Sequence, residues 1–409
     1  MKVEKLVEIA QSLGGNAFLV GGAVRDELFG IEAHDKDFVL VGIENARDLP
    51  FTHIAGKDFP VFLVEIEGEM CEVALARLER SNGNGHKDFE FITDASVTIE
   101  HDLLRRDLTI NAMAKNLATG EIIDPFGGQD DLKNKVLRHV SNSFVEDPLR
   151  VFRLARFLTK FTDFEVADET EIMCFRMRNM LDKLSVERVF VEVRKALNGK
   201  NPRRFFDFLT EVNCLTDHFF KELNDLLVPD KHDITALNHT MIAMNAGHDF
   251  EERFCLLCHD MGKGRTPKEF HPSHLAHDAL GEGAVKDFCR RLAVPKKLRK
   301  VAIMCAKEHM RIRKVPEMKS GKALRFLLKN KNHWALLFNV SRIESGERTD
   351  ATWWLKIDTI FGLAKAAEVA ITGNDLIAKG IVPDSKFAEK LLNERVSVFG
   401  PMFKVAKNI

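Results

Sequence analysis

The chain contains no tyrosine, although it carries 31 phenylalanines and 3 tryptophans. A hydrogen bond from a phenol is therefore excluded everywhere, while apolar packing and ring stacking remain available. Net charge is nearly absent: 60 lysines and arginines against 61 aspartates and glutamates leave −1. There is no global basic signal for nucleic acid, so any surface for a polyanion has to be a local patch. The seven cysteines are scattered, without the short, even spacings of a disulfide framework, and no stretch has the pattern of a signal peptide. Both features predict reduced thiols in a cytoplasm. Cys255 and Cys258 have a CxxC spacing, but the run at 254–258 is apolar and reads as buried small hydrophobes rather than a redox or zinc pair. No apolar run is long enough to span a membrane.

What is present is enough for two or three cooperative units in 409 residues, with 45% hydrophobic residues to build their cores. The stretch 18–41, FLVGGAVRDELFGIEAHDKDFVLV, carries the first chemistry. Residues 18–20 read as a buried strand, Gly21-Gly22 as a turn that lets backbone approach a ligand, and 23–29 as a helix. The free N–H groups at that helix start suit a triphosphate, and Arg25 can add a charge-assisted fork. A second strand, 38–41, begins just after Asp35 and Asp37. In extended chain these two carboxylates point to the same face, as Mg²⁺ beside a phosphate requires. A lone Gly-Gly or a lone Asp-x-Asp is ordinarily a turn or a solvated strand end. In this order, with Arg25-Asp26 between them, they predict metal-assisted phosphoryl transfer on a nucleotide.

The chain before and after follows the same alternation. Residues 1–13 form an amphipathic helix, and 61–66 and 71–76 read as strands joined by a turn at Gly68. The stretch 79–89, ERSNGNGHKDF, reads as a mobile loop over the active site, with an ordinary surface hairpin as the alternative. At Arg105-Arg106-Asp107, two adjacent arginines cannot both lie on an apolar helix face, so at least one points to solvent or a ligand. A helix opens near Glu146, where Asp147, Arg150, Arg153 and Arg156 recur at intervals of three along one face. Repeated arginine, rather than mixed lysine and glutamate, favours ligand contact. A carboxylate acceptor beside a guanidinium donor fits cytosine and adenine, which pair an exocyclic amine with an acceptor ring nitrogen. It leaves groups unpaired against uracil and guanine.

From about residue 197 the pattern is helical. A second cluster comprises His239, His259-Asp260 before a Gly-Lys-Gly turn, His274, His277 and Glu308-His309. Nitrogen and carboxylate donors in this number predict a transition-metal site.

Gly21-Gly22-x-Val24-Arg25-Asp26 followed by Asp35-x-Asp37 resembles the head of the polymerase-β nucleotidyltransferase superfamily, and more closely the bacterial CCA-adding enzymes and poly(A) polymerases. Arg105-Arg106-Asp107 resembles the family's RRDxTxNA motif and Glu146-Asp147 to Arg150 its EDxxR motif. Phe126 stands where the family usually has tyrosine. The resemblance implies nucleotide contacts from Gly22, Arg25, Arg106, Asp147, Arg150, Arg153 and Arg156, and catalysis through Mg²⁺ on Asp35 and Asp37. A flexible loop at 79–89 is associated in this family with adding the final A. The His cluster resembles an HD-type phosphohydrolase domain, with His259 and Asp260 its defining pair and His239 the upstream ligand. The metal set is then His239, His259, Asp260, His274, His277 and His309, with a metal such as Ni²⁺ and a fourth ligand sought at Glu308 or His309.

The expected architecture is an α+β nucleotidyltransferase head with a small mixed sheet (1–140), an all-α neck and body (141–230), an α-helical HD domain (231–345) and a helical tail (346–409). The expected function is template-independent addition and repair of the tRNA 3′-terminal CCA from CTP and ATP. A metal-dependent phosphatase or 2′,3′-cyclic phosphodiesterase activity would accompany it. The expected protein is a cytoplasmic monomer or homodimer with no membrane partner. The alternatives are a poly(A) polymerase, or an RNA-binding module with an inactive head.

Overall fold

The computed structural model describes residues 1–33, 35–51, 54–55, 61–81, 89–92, 95–230, 234–346 and 350–408. It divides into two compact units, residues 1–192 with 204–214, and residues 193–203 with 215–409.

The first unit opens with α1 (Val3–Ser12), β1 (Asn16–Val20), α2 (Gly22–Leu28) and β2 (Asp37–Val41). Strands β3 (Ile54–Ala55), β4 (Val61–Ile66), β5 (Glu69–Leu75), β6 (Leu78–Ser81) and β7 (Phe89–Ile92) follow, then α3 (Ile99–Leu104), β8 (Ala114–Asn116) and β9 (Ile122–Ile123). Seven strands form one mixed sheet in the order β3-β4-β5-β2-β1-β8-β9, with β2 parallel to β5 and β1 antiparallel to both β2 and β8. Because side chains alternate across a strand, β1 feeds two cores. Ala17 and Leu19 join Leu6 and Ala10 of α1 on one face, while Phe18 and Val20 join Ile99 and Leu103 of α3 on the other. Phe126, in the position of the missing tyrosine, packs on that second core. The ends of the stretch expected as a loop over the site belong to a β6–β7 hairpin, and its residues 82–88 lie outside the described residues.

Beyond the sheet come α4 (Gly128–Asn134), β10 (Val136–Leu137), α5 (Leu149–Lys160), β11 (Glu165–Val166), α6 (Asp168–Met177), α7 (Val186–Leu197) and α8 (Arg203–Glu211). The mixed-sheet head followed by helices is the expected fold class. Helix α5 starts three residues later than the sequence suggests, because Asp147 remains extended and its carboxylate accepts the Leu149 N–H at 3.1 Å.

The second unit is built of helices: α9 (Asp217–Asn224), α10 (Ala236–Asn245), α11 (Phe250–Cys258), α12 (His277–Arg291), α13 (Lys296–Ile312), α14 (Ser320–Asn330), α15 (Trp334–Ser345), α16 (Ala351–Ala370), α17 (Gly373–Ala378) and α18 (Phe387–Asn408). Helix α13 packs against α11, α12 and α15, so its buried face, with Cys305, His309 and Ile312, lies at the centre of this unit. All seven cysteines are free and buried. Among the described residues, no helix is long and apolar enough to cross a membrane.

Candidate active site

The first site is assembled by strand register. Asp37 opens β2 and lies opposite Val20 of β1 on one side and Glu72 of β5 on the other. Val20 is the last residue before Gly21-Gly22, so the register sets the carboxylate beside the turn. Asp37 is exposed as a residue, yet its carboxyl group is crowded. Packing around it, then the Glu72 and Asp35 charges, raise its pKa above the ordinary carboxylate value, while Arg106 pulls the other way. Glu72 and Asp35 lie close enough to act on Asp37 through their charges, and Arg106 is the opposing charge. That excess of negative charge is what a divalent cation neutralises, and the oxygen donors suit Mg²⁺. Asp35 lies in the bend before β2 rather than in the strand itself. Glu72 was missed by sequence reasoning; its signal was the position of an acid in a strand that pairs with β2.

Gly21 is required as glycine. Its φ of 72° and ψ of −133° suit no other residue, and a Cβ there would sit 2.8 Å from Nη1 of Arg106. Arg106 is in turn held by the buried Asp102, whose Oδ2 accepts from its Nη2 at 3.0 Å and its Nε at 3.3 Å. Arg25 is 4% exposed and folded inward. Its Nε and Nη2 donate to Asp26 at 2.9 and 2.7 Å, its Nη1 donates to Asn111, and the guanidinium lies 5.1 Å from the Phe161 ring centre. In this conformation Arg25 braces the turn instead of facing a ligand.

The arginine row of α5 is likewise partnered. Arg150 donates to the Ser143 carbonyl at 2.7 Å and the Arg105 carbonyl at 2.5 Å, which ties α5 to the segment carrying Arg106. Arg153 grips Asp107 at 2.6 and 2.9 Å, and Arg156 donates to Glu192 at 2.6 Å. Burial alone would raise the Asp107 pKa, but Arg153, Asn111 and the Leu108 N–H outweigh it and hold it at about 2. Asp147 is different: its partner Arg188, at 2.7 Å, is 47% exposed, and an exposed pair of this kind is easily exchanged for a ligand. Asn111, Asp102 and Glu192 were not singled out from the sequence, and Asp107 was named only as part of the Arg105-Arg106-Asp107 motif, with no role. Only the tertiary fold shows that they anchor the row.

The second site lies within the helical unit. His239 of α10, His259 and Asp260 after α11, His277 at the start of α12 and His309 of α13 converge. Their Nε2 atoms face the Asp260 carboxylate at 3.5, 3.2, 3.1 and 3.6 Å respectively. None of the four makes a hydrogen bond of good geometry. Three rings are oriented from behind: Nδ1 of His259 donates to the Leu256 carbonyl (2.6 Å), that of His277 to the His274 carbonyl (2.9 Å) and that of His309 to the Ala306 carbonyl (3.0 Å). Burial works to lower the pKa of His259 and His277, but the Asp260 carboxylate outweighs it and raises both; with their protons released, these nitrogens and the carboxylate are a donor set for a cation. Lys263 supplies part of that charge, bridging Asp260 and Asp230 at 2.7 Å each. Burial, then the His259 charge, push His239 down to about 4, so it is an unprotonated donor at neutral pH.

The donors form two triads, His239–His259–Glu344 and Asp260–His277–His309, with Asp260 between them. Glu344, from α15, is the carboxylate that the sequence did not identify. Glu308 is turned away to Lys329 and Arg311. His274 stands outside the cluster, with Nδ1 on Thr266 Oγ1 at 2.7 Å and Nε2 on the Pro229 carbonyl at 2.8 Å.

A glycine turn, a strand-borne acid cluster and a mixed sheet define the class: a polymerase-β-type nucleotidyltransferase head joined to a helical body. Residues 17–138 match the poly A polymerase head domain, and residues 163–227 match the probable RNA and SrmB-binding site of polymerase A. The chain is 40% identical over 329 residues to the multifunctional CCA protein of Paraburkholderia phytofirmans, covering 76% of this chain and 80% of that one. It is 39% identical over 349 residues to that of Acinetobacter baylyi, covering 82% and 81%. The crystal structure of the Bacillus stearothermophilus CCA-adding enzyme in complex with CTP aligns with a TM-score of 0.69 at 25% identity, over 97% of this chain and 92% of that one. The chain belongs to the multifunctional CCA protein family and is a CCA tRNA nucleotidyltransferase. A head of this type implies a divalent metal.

Proposed function

We propose that this enzyme completes and repairs the 3′ end of tRNA by adding C, C and A from CTP and ATP with release of pyrophosphate, and that its helical unit hydrolyses phosphate esters. The observation that carries the first activity is the register of Asp37 between Val20 and Glu72, which sets the Asp37 carboxylate beside the Gly21-Gly22 turn with a second acid on the neighbouring strand and Asp35 in the bend just before. Asp35 and Asp37, supported by Glu72, are the residues to hold Mg²⁺. Bound there, the metal would lower the pKa of the attacking 3′-hydroxyl and offset charge on the leaving pyrophosphate. Gly22 and its turn cradle the triphosphate, with Arg106 alongside. Asp147 and Arg150 accept and donate along the base edge, favouring C and A over U and G. Arg25, Arg153 and Arg156 support this surface through Asn111, Asp107 and Glu192. The functional division is head (1–140), neck and body (141–230), hydrolase (231–345) and tail (346–409). Incubation of tRNA lacking its 3′ end with CTP, ATP and Mg²⁺, followed by sequencing of the product ends, tests the reading. C, C and A followed by a stop supports it; no addition overturns it.

For the hydrolase, the four Nε2 atoms around Asp260 carry the reading. His239, His259, Asp260 and Glu344, with His277 and His309 on the far side of Asp260, would hold one or two transition-metal ions such as Ni²⁺, whose contribution when bound would be to lower the pKa of a water near a phosphate ester. Lys263, secured by Asp230, keeps a positive charge beside that phosphate. Metal analysis of the purified protein together with release of phosphate from 2′,3′-cyclic nucleotides and nucleoside monophosphates is the corresponding test. A protein that binds no transition metal and releases no phosphate overturns it.

A further inference from the structure

Helix α13 buries Leu298, Val301, Ala302, Cys305, His309 and Ile312 and turns a cationic face outward. At 100° per residue, Lys296, Lys300, Lys307 and Arg311, with Lys314 just past the helix end, fall within about 60° of one another. All five are exposed. They form a row of positive charge about 27 Å long at 1.5 Å per residue. At its C-terminal end the row enters a cleft of about 560 Å³ lined by Arg311, Lys314, Lys319 and Lys322 against Asp278 and Glu317. Lys307 pairs with Glu282 and Arg311 lies 3.5 Å from Glu308. Lys296, Lys300, Lys314, Lys319 and Lys322 have no carboxylate partner among the described residues. Lys296 and Lys300 also stand at the N-terminal end of α13, where the helix dipole disfavours positive charge. In a chain of net charge −1 this row is a concentration of one sign, and the fold pairs only Lys307 and Arg311 of it with carboxylates.

We propose that this face of α13 is a docking surface for the sugar-phosphate backbone of RNA, and specifically of the tRNA substrate, which rests on the reading of function given above. A linear row of five cations, two before and three after the uncharged turn at Ile303 and Met304, matches a polyanion rather than a single anion. No large hydrophobic residue among those exposed in the described structure lies on α13, so the face has no anchor for a lipid bilayer. The exposed charges position the RNA without reading its sequence, which suits an enzyme that serves many tRNAs.

The test is tRNA binding by the full-length protein over a range of salt, with the variant K296Q/K300Q/K314Q beside the wild type. The expected result is a Kd at least tenfold higher at about 0.1 M salt. The slope of log K against log salt should be shallower by about 2 to 3, at about 0.9 per lost phosphate contact. CTP affinity, melting temperature and metal content should be unchanged. In the wild type, bound tRNA should protect the same lysines from amine acetylation, a reading that needs no variant. Equal Kd and equal slope overturn the proposal, as does acetylation unaffected by tRNA but blocked by anionic vesicles or an acidic peptide. Wild-type protein that binds no tRNA overturns the reading of function itself, and with it this inference.

Discussion

Asp37 pairs with Val20 on one side and Glu72 on the other, so two acids from adjacent strands share the edge at which the glycine turn begins. Replacing Asp37 with asparagine keeps the shape and the strand pairing but removes one of the charges that a metal needs. Addition to tRNA is expected to fall by about three orders of magnitude, worth roughly 4 kcal/mol in the barrier, with the melting temperature little changed. Glu72→Gln should cost about tenfold, because Glu72 supports the site instead of opening it. A steady-state assay of both variants with tRNA and CTP decides the order, and equal losses would contradict it. Asp107 makes a stability prediction. Its folded pKa of about 2 lies below the ordinary 3.8, so its pairing with Arg153 stabilises the fold above pH 4 and is lost as pH falls through 2. At 1.36 kcal/mol per pKa unit this is about 2 kcal/mol. Asp107→Asn should lose that much at neutral pH and flatten the stability curve between pH 4 and 2, as urea titrations across that window would record.

At the scale of elements, the Gly21–Gly22 turn joins β1 to α2 under two constraints at once, a backbone conformation that only glycine adopts and the guanidinium of Arg106 against it. Gly21→Ala should therefore cost about 1–3 kcal/mol of stability and also displace Arg106, raising the KM for CTP. A lower melting temperature with unchanged KM would mean that Arg106 does not serve the nucleotide. The strand-turn-helix order and the helical second half were legible in the sequence, because each rests on local periodicity and glycine punctuation, whereas the mixed sheet was implied by the family resemblance. The Asp35-x-Asp37 spacing was visible too, but the strand takes in only Asp37 and leaves Asp35 in the bend before it. What escaped was set by pairing between distant segments. Glu72 reaches Asp37 through sheet register, and Glu344 joins His239 and His259 from a helix that starts 75 residues after α11 closes, counting Cys258 to Trp334 exclusive. The row on α5 was readable as a face, but its anchors Asp107 and Glu192 come from other elements.

For the whole molecule, the head carries the acid cluster and the helical unit carries the imidazole cluster, and no described residue is common to the two. Asp35→Ala should abolish addition and leave release of phosphate intact, whereas His259→Ala should strip the transition metal and phosphate release while sparing addition. Metal analysis beside the two activity assays checks the pair, and loss of both activities in either variant would mean that the sites depend on each other. The proposed CCA addition requires a protein surface that chooses the bases and stops, with no nucleic-acid template. Sequencing of the 3′ ends made by the wild-type enzyme on tRNA lacking CCA, with all four nucleoside triphosphates present, tests it most directly. Products ending in C, C and A, with no U or G and nothing further, are expected; a growing run of A, or incorporation of U or G, would show that the surface does not select.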